Sequence, residues 1–586
     1  MKPRPPLPYI NNILSLVLWA SVFVFFGCFY RYHLAYQEQY QMFLFTSGYM
    51  EETTLRIGGP AEYLSRFLVQ FYRAPWLGAF IIASLLTLLQ RLTLAAASCT
   101  GKGEGWAPLT FIPSVFYWIL LCDESYKPTG VVSLLLVLAA FRMSLSIRPA
   151  ASRAVYSLLM IPLLYVLTGG TAAVFWALCV VGEMTGGGLR AWRRLGFIAG
   201  GALLLIASPL AAHGFFPQYP LSKLWTGADY YRYQTVFPFM LSALWMTVPA
   251  VVLCLRLSPS KGNLPVHGLQ TCALVLAAIF GIPRMTDWKK EEVMEYDYYV
   301  RAGDWEHVTA LADRKAPQSP LSVAFLNLAL CKQGLMPERM FHYYQNGPEG
   351  LLPSFVRDFS LPMMAGELYY HLGFINTAQR FAFEAMEAIP DFQRSARGIK
   401  RLAETNLLNG QYEVAAKYLR LLQHTLYYRK WATETMACLH DEERIEANAD
   451  WAWLRKYRTK TDFLFSEEEK DMMLGILLQQ DLSNRPAYEY LMAYCLLTKD
   501  LEHFYQYYPM GESLGYRTMP RSYQEALIYI WGLMNDTTDN IPYPVSDEVK
   551  RRVNEYRRIY VNYPAAEPML RGAFSGTYWY YLHFRK

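Results

Sequence analysis

Residues 12 to 30 run from Asn12 to Tyr30 without one charged side chain. A helix rises 1.5 Å per residue, so about 20 mostly apolar residues are enough to cross the hydrocarbon core of a bilayer. Eight further apolar runs follow, near residues 75–97, 107–122, 129–146, 153–168, 170–187, 195–212, 236–256 and 267–283. The sequence therefore predicts an all-α protein whose residues 1–283 form a polytopic bundle of about nine transmembrane helices.

Charge divides the chain at about residue 283. Residues 1–283 carry 19 Lys/Arg and 9 Asp/Glu, a net charge of +10, whereas residues 284–586 carry 36 and 40, a net charge of −4. The basic excess belongs to the connections between apolar runs, where cations set membrane topology. The net charge of the whole chain, +6, therefore gives no reason to expect a nucleic-acid partner.

The basic residues are distributed unevenly over alternate connections. One side holds twelve of them: Lys2, Arg4, Arg91, Lys102, Arg142, Arg148, Arg153, Arg190, Arg193, Arg194, Arg256 and Lys261. The short connections on the other side hold Lys127, Lys223 and Arg232. Because basic residues are retained in the cytoplasm, the N-terminus is predicted to be cytoplasmic. With nine spans, residues 284–586 would then be periplasmic, and the protein would lie in a bacterial inner membrane. One span more or fewer would place residues 284–586 in the cytoplasm instead.

The connection formed by residues 31–74 is too long for a turn and too polar to cross a membrane. Apolar residues recur in it at roughly helical spacing with charged residues between them, namely at Leu55, Leu64, Phe67, Leu68 and Phe71. This pattern is typical of an amphipathic helix at the membrane interface. Because Gly58-Gly59-Pro60 predicts a break, we expect two interfacial helices in this external loop.

Three stretches of this region carry a family resemblance: QEQYQMF at 37–43, GGPAEY at 58–63 and QFYRAPWLGA at 70–79. One helix, a large external loop with an acidic residue close to the membrane, and a hairpin-rich bundle resemble the polytopic GT-C glycosyltransferases over residues 1–100. The same stretches also resemble an uncharacterised family of Bacteroidota membrane proteins. GT-C enzymes typically have Asp where this chain has Glu38.

The resemblance implies sugar transfer from a lipid-linked sugar phosphate. It assigns to Glu38 the role of general base toward the acceptor hydroxyl, or of ligand to a divalent metal ion. Glu51 and Glu52 are the further catalytic candidates. Acidic residues in an external loop are also expected on any solvated surface, so both interpretations stay open at this point.

Substrate-binding candidates follow from the same resemblance. The donor phosphate would be held bidentately by Arg31, Arg56 or Arg73. The external loop 213–235 would add His213, Asp229 and Arg232 on the same face. The alternative for the tyrosines of this second loop is an aromatic belt at the membrane interface.

The apolar runs themselves contain few ionisable residues. Arg91, Arg142 and Glu183 all lie toward the predicted cytoplasmic ends of their runs. Ion-coupled transporters usually carry carboxylates or histidines at membrane depth, because these groups bind the transported ion. The sequence therefore disfavours a transporter or a channel.

The second half has apolar residues at helical spacing and a recurring small-residue pattern. Gly373 with Ala378, and Gly410 with Ala415, stand 37 residues apart, and weaker copies centre on 302–305 and 332–335. This pattern resembles the tetratricopeptide repeat, in which small residues let paired helices pack closely. The sequence predicts a soluble α-solenoid over residues 284–586, which implies a groove for a protein partner or for the acceptor.

Two functional hypotheses follow from this organisation. The first is a GT-C-like glycosyltransferase that takes a lipid-linked donor on the periplasmic face and uses the repeat domain to recruit its acceptor or a partner. The second is a non-enzymatic, membrane-anchored scaffold for envelope assembly. Only the acidic external loop favours the enzyme over the scaffold.

Overall fold

The computed structural model describes residues 7–97, 104–186, 188–233, 237–258, 264–354, 360–389, 394–460, 466 and 468–585. The structure is 77% helical, and its described residues contain no strand. The chain divides into two compact units. The first unit is Met1–Trp288 with Pro390–Ser395 and His424–Tyr427, and the second is Lys289–Ile389, Ala396–Gln423 and Tyr428–Lys586.

The first unit is built mainly from long apolar helices. Its α-helices are α1 Leu7–Val24, α2 Tyr32–Glu38, α3 Ser47–Thr54, α4 Gly59–Val69, α5 Pro75–Ala97, α6 Ile112–Leu120, α7 Thr129–Ser146, α8 Ala150–Thr168, α9 Ala172–Gly186, α10 Ala191–Phe215, α11 Leu221–Thr226, α12 Phe239–Leu257 and α13 Leu264–Met285. A π-helix, Phe25–Phe29, continues α1, and 3-10 turns cover Gln70–Arg73, Glu104–Phe111 and Gly169–Thr171.

Seven helical runs among the described residues are long and apolar enough to cross a membrane: Tyr9–Phe29, Pro75–Ala97, Thr129–Ser146, Ala150–Gly186, Ala191–Phe215, Phe239–Leu257 and Leu264–Met285. The sequence predicted about nine. The run Ala150–Gly186 contains both α8 and α9, which pack against each other on either side of the turn Gly169–Thr171. Trp106–Leu120 is apolar but shorter than a full span. Seven candidate spans are therefore established, and the count of nine stays a prediction.

Large apolar side chains cover much of the outer surface of these helices. In α13 only 6% of the most apolar window is buried inside the protein, and Leu269 and Phe280 are 72% and 63% exposed. A helix that exposes large apolar side chains over most of its surface is unfavourable in water and favourable against lipid tails. The long apolar helices are thus consistent with contact to a bilayer.

The connections of the first unit gather at two ends of its helices. At one end the Tyr30 hydroxyl donates to the Cys122 carbonyl at 3.1 Å and accepts from the Asp287 amide at 3.1 Å. This end, which we call the loop end, carries residues 30–74, 121–128 and 216–233. The opposite end, which we call the distal end, holds the last turns of α7, α9 and α12 and the first turns of α8 and α10.

Some of the residues used in the sequence analysis lie outside the described part of the chain. They are Lys2, Arg4, Lys102 and Lys261. The basic residues of the distal end that are described include Arg142, Arg148 and Arg153.

The second unit consists of shorter helices joined by tight turns. They are α14 Trp288–Ala302, α15 Trp305–Arg314, α16 Pro320–Lys332, α17 Met336–Arg339, α18 Leu361–Leu372, α19 Ile375–Glu387, α20 Ala396–Leu408, α21 Tyr412–Gln423, α22 Arg429–Met436, α23 Glu442–Ala447, α24 Ala449–Tyr457, α25 Lys470–Gln480, α26 Arg485–Thr498, α27 Leu501–Tyr507, α28 Met510–Ser513, α29 Arg521–Asn535, α30 Asp547–Asn562, α31 Ala566–Phe574 and α32 Tyr578–Phe584. Two 3-10 turns, Met340–His342 and Gly347–Gly350, lie between α17 and α18.

The four glycines at the centres of the predicted repeat copies all end a helix in the same way. Gly303, Gly334, Gly373 and Gly410 have φ between +68° and +99°. After Gly373, for example, the Phe374 amide donates to the Tyr369 carbonyl at 2.9 Å, while the Gly373 amide donates to Tyr370 at 3.1 Å. This paired bonding is the Schellman motif, which needs a left-handed residue and therefore favours glycine. The turns that the repeat pattern predicts are present in the structure, whereas a continuous solenoid stays a prediction.

A buried ion cluster connects three helices of the second unit. Arg397 of α20 donates bidentately to Asp297 of α14 at 2.7 and 2.8 Å and to Glu367 of α18 at 2.9 Å. Burial alone would raise the pKa of Glu367, but Arg401 and Arg397 hold that pKa well below its usual range. Because removing one member would leave a buried charge unpaired, the cluster fixes the register of these helices.

Candidate functional site

Two helices, α3 and α4, are present at the loop end with a break at Gly58 between them, and their location at a membrane interface stays a prediction. The chain reverses at Gly58, whose φ is +74°. At Gly59 an added Cβ would stand 2.0 Å from the Thr53 carbonyl oxygen. A side chain at Gly59 would force the two helices apart, whereas a side chain at Gly58 would clash with Ala228 of the loop 213–235.

Three glycine turns interlock beneath α4. The Gly58 amide donates to the Val166 carbonyl at the end of α8, at 2.8 Å. A Cβ on Gly169 would lie 2.5 Å from the Thr226 carbonyl, and a Cβ on Gly227 would lie 2.7 Å from the Gly169 Cα. The loop 31–74 and the loop 213–235 are therefore held together by close backbone contacts.

A buried ion pair stands on α4. Glu62 and Arg66, one helical turn apart, are 4% and 7% exposed and hydrogen bond to each other. Arg66 also donates to the Tyr49 hydroxyl of α3 at 3.4 Å. Burial by itself lowers the pKa of Arg66, but the carboxylate of Glu62 more than offsets this and raises it. For the Tyr49 hydroxyl, in contrast, burial raises the pKa. Arg66 is therefore a permanent buried cation.

A cavity of about 160 Å³ lies against this pair, and we call it the loop cavity. Its polar lining includes Gln41, Tyr49, Glu52, Arg56, Arg66 and Arg394, the last of which belongs to the same unit. With Glu62, which hydrogen bonds to Arg66, three arginines stand against two glutamates, a net charge of +1. Arginine pairs with carboxylates and phosphates through its planar fork of donors. The loop cavity is thus suited to an anionic group.

A smaller pocket of about 30 Å³ adjoins the other side of Arg56. Arg56 and Glu62 line it together with Lys223 and Asp229 from the loop 213–235. Asp229 also stands 3.9 Å from the Lys127 ammonium, and both side chains are at most 10% exposed. The structure therefore brings Arg56 and Asp229, two predicted substrate-binding residues, into one charged network.

Glu38, the leading catalytic candidate, does not line the loop cavity. It ends α2, whose seven residues are all buried, and Glu38 itself is 6% exposed. The Arg73 guanidinium lies 5.9 Å from the centre of the Tyr427 ring. Burial is the main reason that the pKa of Tyr427 is raised. The positive charge of Arg73 lowers the pKa of the Tyr427 hydroxyl, and the negative charge of Glu38 raises it. Glu38 thus lies outside the lining of the loop cavity.

The other predicted residues have separate positions. Arg232 is buried and its guanidinium covers the Tyr40 ring at 4.1 Å, while Arg31 stacks on Tyr32 at 4.6 Å. Glu51 is exposed on α3, and exposed His213 contacts the Tyr219 carbonyl at 3.2 Å. Of the three acidic candidates, Glu52 alone lines the loop cavity, where it pairs with Arg56 at 3.3 Å.

Sequence reasoning placed Glu62, Arg66 and Tyr49 on an interfacial loop without assigning them a role. The signal that pointed to the pair was its i, i+4 spacing on a helix, which allows an ion pair. The signal could not show burial, because the covering side chains come from residues distant in sequence. Within the described ranges no group of three or more His, Cys, Asp or Glu side chains could hold a metal ion. The structure therefore identifies no ligands for the divalent metal ion that the resemblance implied.

Comparison with known families gives one match. The model of a family described as "Family of unknown function (DUF6057)" matches residues 6–585, nearly the whole chain. No curated protein and no solved structure matches the chain.

Proposed function

The chain belongs to this uncharacterised family, and we propose that it is a membrane-embedded, GT-C-like glycosyltransferase whose loop cavity receives the phosphate of a lipid-linked sugar donor. The observation that carries the proposal is the loop cavity itself, with Arg56, Arg66 and Arg394 around about 160 Å³ at one end of an apolar helix bundle. A lipid-linked donor has an anionic phosphate attached to a hydrocarbon chain. Its two parts therefore match the charged cavity and the apolar surface next to it.

The arginines would act on the leaving group. When an acceptor hydroxyl attacks the anomeric carbon, the bond from that carbon to the phosphate oxygen breaks, and the phosphate leaves with the electron pair. Fixed cations that face the developing charge lower the barrier, because they need no reorganisation during the reaction. Arg66 suits this role since Glu62 and Tyr49 hold its guanidinium in place.

Glu52 is the best placed of the acidic candidates to take the acceptor proton. It lines the cavity and is exposed on α3, so an acceptor can reach it. A positioned general base typically contributes about 10² to 10⁴ in rate. Glu38, which is buried at the end of α2 and does not line the loop cavity, would support the site indirectly.

The topology completes the proposal. Counting α8 and α9 as separate spans and Trp106–Leu120 as a short one gives nine crossings. With the basic residues of the distal end in the cytoplasm, the loop end and the second unit face the periplasm. The second unit then serves to recruit the acceptor or a protein partner through its helical hairpins.

The alternative function is a membrane-anchored scaffold for envelope assembly. It is favoured by the second unit, whose Schellman-capped helix pairs are typical of modules that bind proteins and perform no chemistry. A scaffold would need the second unit and would tolerate neutral substitutions in the loop cavity.

Glu52→Gln and Glu51→Gln form a matched test, because the two glutamates are neighbours and both are exposed, but only Glu52 lines the cavity. In a strain that lacks its own copy of the gene, we expect Glu52→Gln and Arg56→Gln to reduce the formation of surface glycan at least 100-fold, while Glu51→Gln supports the wild-type amount. Glycan is measured together with the amount of protein in the membrane.

Wild-type glycan in Glu52→Gln and Arg56→Gln cells with normal protein levels would exclude the proposed site. If, in addition, removal of residues 292–586 abolished the envelope phenotype, the scaffold would be the better description.

A further inference from the structure

A groove of about 470 Å³ opens on the outer surface of the first unit, between α6, α12 and α13, and we call it the lateral groove. The helices α12 and α13 both pack against α6, and the space between them forms the groove. Its volume is about three times the ~150 Å³ of a cavity that holds one benzene molecule. The lateral groove is therefore large enough for a hydrocarbon chain.

The walls of the lateral groove are apolar. Phe116, Phe239 and Phe280 supply three exposed aromatic rings, while the small side chains of Ala243 and Ala277 leave room between the helices. Large apolar groups at this exposure are unfavourable in water. Because α12 and α13 are both long and apolar enough to cross a membrane, the medium that covers these rings is lipid.

The lateral groove starts at the loop end and runs part of the way along the helices. Arg284 and Met285 line it at the last turn of α13, and Ala277 lines it seven residues earlier. On α12 the lining extends over the eight residues from Phe239 to Thr247. At 1.5 Å per residue these stretches are about 10–12 Å long, less than half of the ~30 Å hydrocarbon core. The groove therefore belongs to one leaflet, the one next to the loop end.

Arg284 places one cation at the rim of the lateral groove. The other twelve described residues of the lining are uncharged. Arg284 is exposed, and no described residue forms a hydrogen bond or an ion pair with its guanidinium. The planar fork of an arginine pairs with a phosphate through two parallel hydrogen bonds. A guanidinium above an apolar groove of one leaflet thus matches the phosphate of a membrane lipid.

We propose that the lateral groove binds a glycerophospholipid with one net negative charge, whose acyl chain lies in the groove and whose phosphodiester pairs with Arg284. One arginine balances the single negative charge of a phosphodiester. A phosphate monoester, as on an isoprenyl phosphate, carries a charge of about −1.5 to −2 near neutral pH and would be neutralised only in part.

The bound lipid would fasten α13 to the bundle. Only 6% of the most apolar window of α13 is buried inside the protein, and an acyl chain between α12 and α13 adds a second packing surface beside α6. The lateral groove and the loop cavity share no lining residue, so this inference does not rest on the proposed function.

Lipid binding to the purified full-length protein in detergent tests the proposal. The probe is a fluorescent short-chain phosphatidylglycerol, displaced by unlabelled lipids. We expect dioctanoyl phosphatidylglycerol to displace it about 10-fold more effectively than dioctanoyl phosphatidylethanolamine, which has the same chains and no net charge, because the headgroup charge on Arg284 is not balanced by a zwitterion. Farnesyl phosphate, which has an isoprenyl chain and a phosphate monoester, should also displace the probe more weakly. Soluble glycerophosphoglycerol, which has the headgroup and no chain, should not displace it.

Two matched pairs of variants connect this binding to the groove. Ala243→Phe fills the groove with a ring, and we expect it to weaken phosphatidylglycerol binding about 10-fold. Ala250→Phe is its control, because Ala250 is also exposed on α12 but lies outside the lining. Arg284→Gln should abolish the preference for phosphatidylglycerol over phosphatidylethanolamine. Arg190→Gln, at an exposed position of the distal end, should keep that preference.

The unfolding temperature of each lipid-free variant shows that it folds, and it should match the wild type because exposed positions are changed. Equal displacement by phosphatidylglycerol and phosphatidylethanolamine on the wild-type protein would overturn the proposal, as would equal potency of glycerophosphoglycerol. Farnesyl phosphate of equal or greater potency would assign the groove to an isoprenyl phosphate instead. The proposal also fails if Ala243→Phe and Arg284→Gln, both folded, bind phosphatidylglycerol as the wild type does.

Discussion

At the scale of single residues, buried carboxylates in this protein differ in how they are compensated. Glu62 and Glu367 each face arginine within hydrogen-bonding distance. Glu525 in α29 is 1% exposed; among the described residues its carboxylate contacts the Tyr578 amide at 2.7 Å and the Arg521 guanidinium at 3.4 Å. Burial raises the pKa of Glu525 to about 7, against the lowering effects of Tyr578 and Arg521.

This raised pKa predicts that stability depends on pH. A carboxyl group whose pKa is higher in the folded state contributes its full stabilisation below the unfolded value of about 4.5, and that contribution is lost as pH rises through about 7. The loss is on the order of 3 kcal/mol for a shift of this size. Glu525→Gln should therefore flatten the pH dependence of thermal unfolding, followed by tryptophan fluorescence between pH 5 and 8.

Glu555→Gln is the control, because Glu555 is exposed on the neighbouring α30 and should leave the wild-type slope intact. A Glu525→Gln protein with an undiminished slope would show that another group titrates in this range.

At the scale of elements, glycine turns determine how close the helices come. The repeat glycines were identified by their spacing, because a Schellman turn depends on one local conformation that sequence records directly. The Gly169-Gly170 pair by itself indicates a turn and nothing about its neighbours. Its role became evident only when Thr226 and Gly227, more than fifty residues later, were found against it.

Gly227→Ala should destabilise the loop end. Gly227 has a φ of +76°, a conformation that costs an L-residue roughly 1–2 kcal/mol, and its Cβ would lie 2.7 Å from the Gly169 Cα. We expect a lower unfolding temperature and reduced function. Gly214→Ala is the matched control, since nothing lies within 4 Å of its added Cβ and alanine suits α10. If both variants unfold at the wild-type temperature, the turns do not hold the loops together.

At the scale of the whole molecule, the arrangement of the spans determines which residues can share a compartment. Residues of the loops 31–74 and 213–235 line one pocket, whereas Arg148, between α7 and α8, lies at the distal end. Under the proposed topology the two loops therefore face one side of the membrane and Arg148 faces the other.

Cysteine labelling in intact cells checks this arrangement. In a variant without native cysteines, Glu51→Cys and Trp225→Cys should react with a membrane-impermeant maleimide from the periplasm, since both positions are exposed. Arg148→Cys should react only after permeabilisation. Labelling of Arg148→Cys in intact cells, with Glu51→Cys protected, would reverse the proposed orientation.

The sequence by itself determined the features that depend on local pattern. Mostly apolar runs of about 20 residues predicted the apolar helices, amphipathic periodicity predicted α3 and α4 with their break at Gly58, and recurring glycines predicted the turns of the second unit. Each of these signals arises within a few residues, because helix length, amphipathicity and turn conformation are properties of short segments.

Only the tertiary structure decided which charges are buried and which face a cavity. It separated Glu52, which lines the loop cavity, from Glu38, which lies buried in α2, although both belong to one acidic loop. It also brought Arg153, Glu183 and Arg256 together from three helices. The physical reason is that burial and electrostatic partners come from residues distant in sequence, and a local pattern carries no information on which distant residues will cover a given side chain.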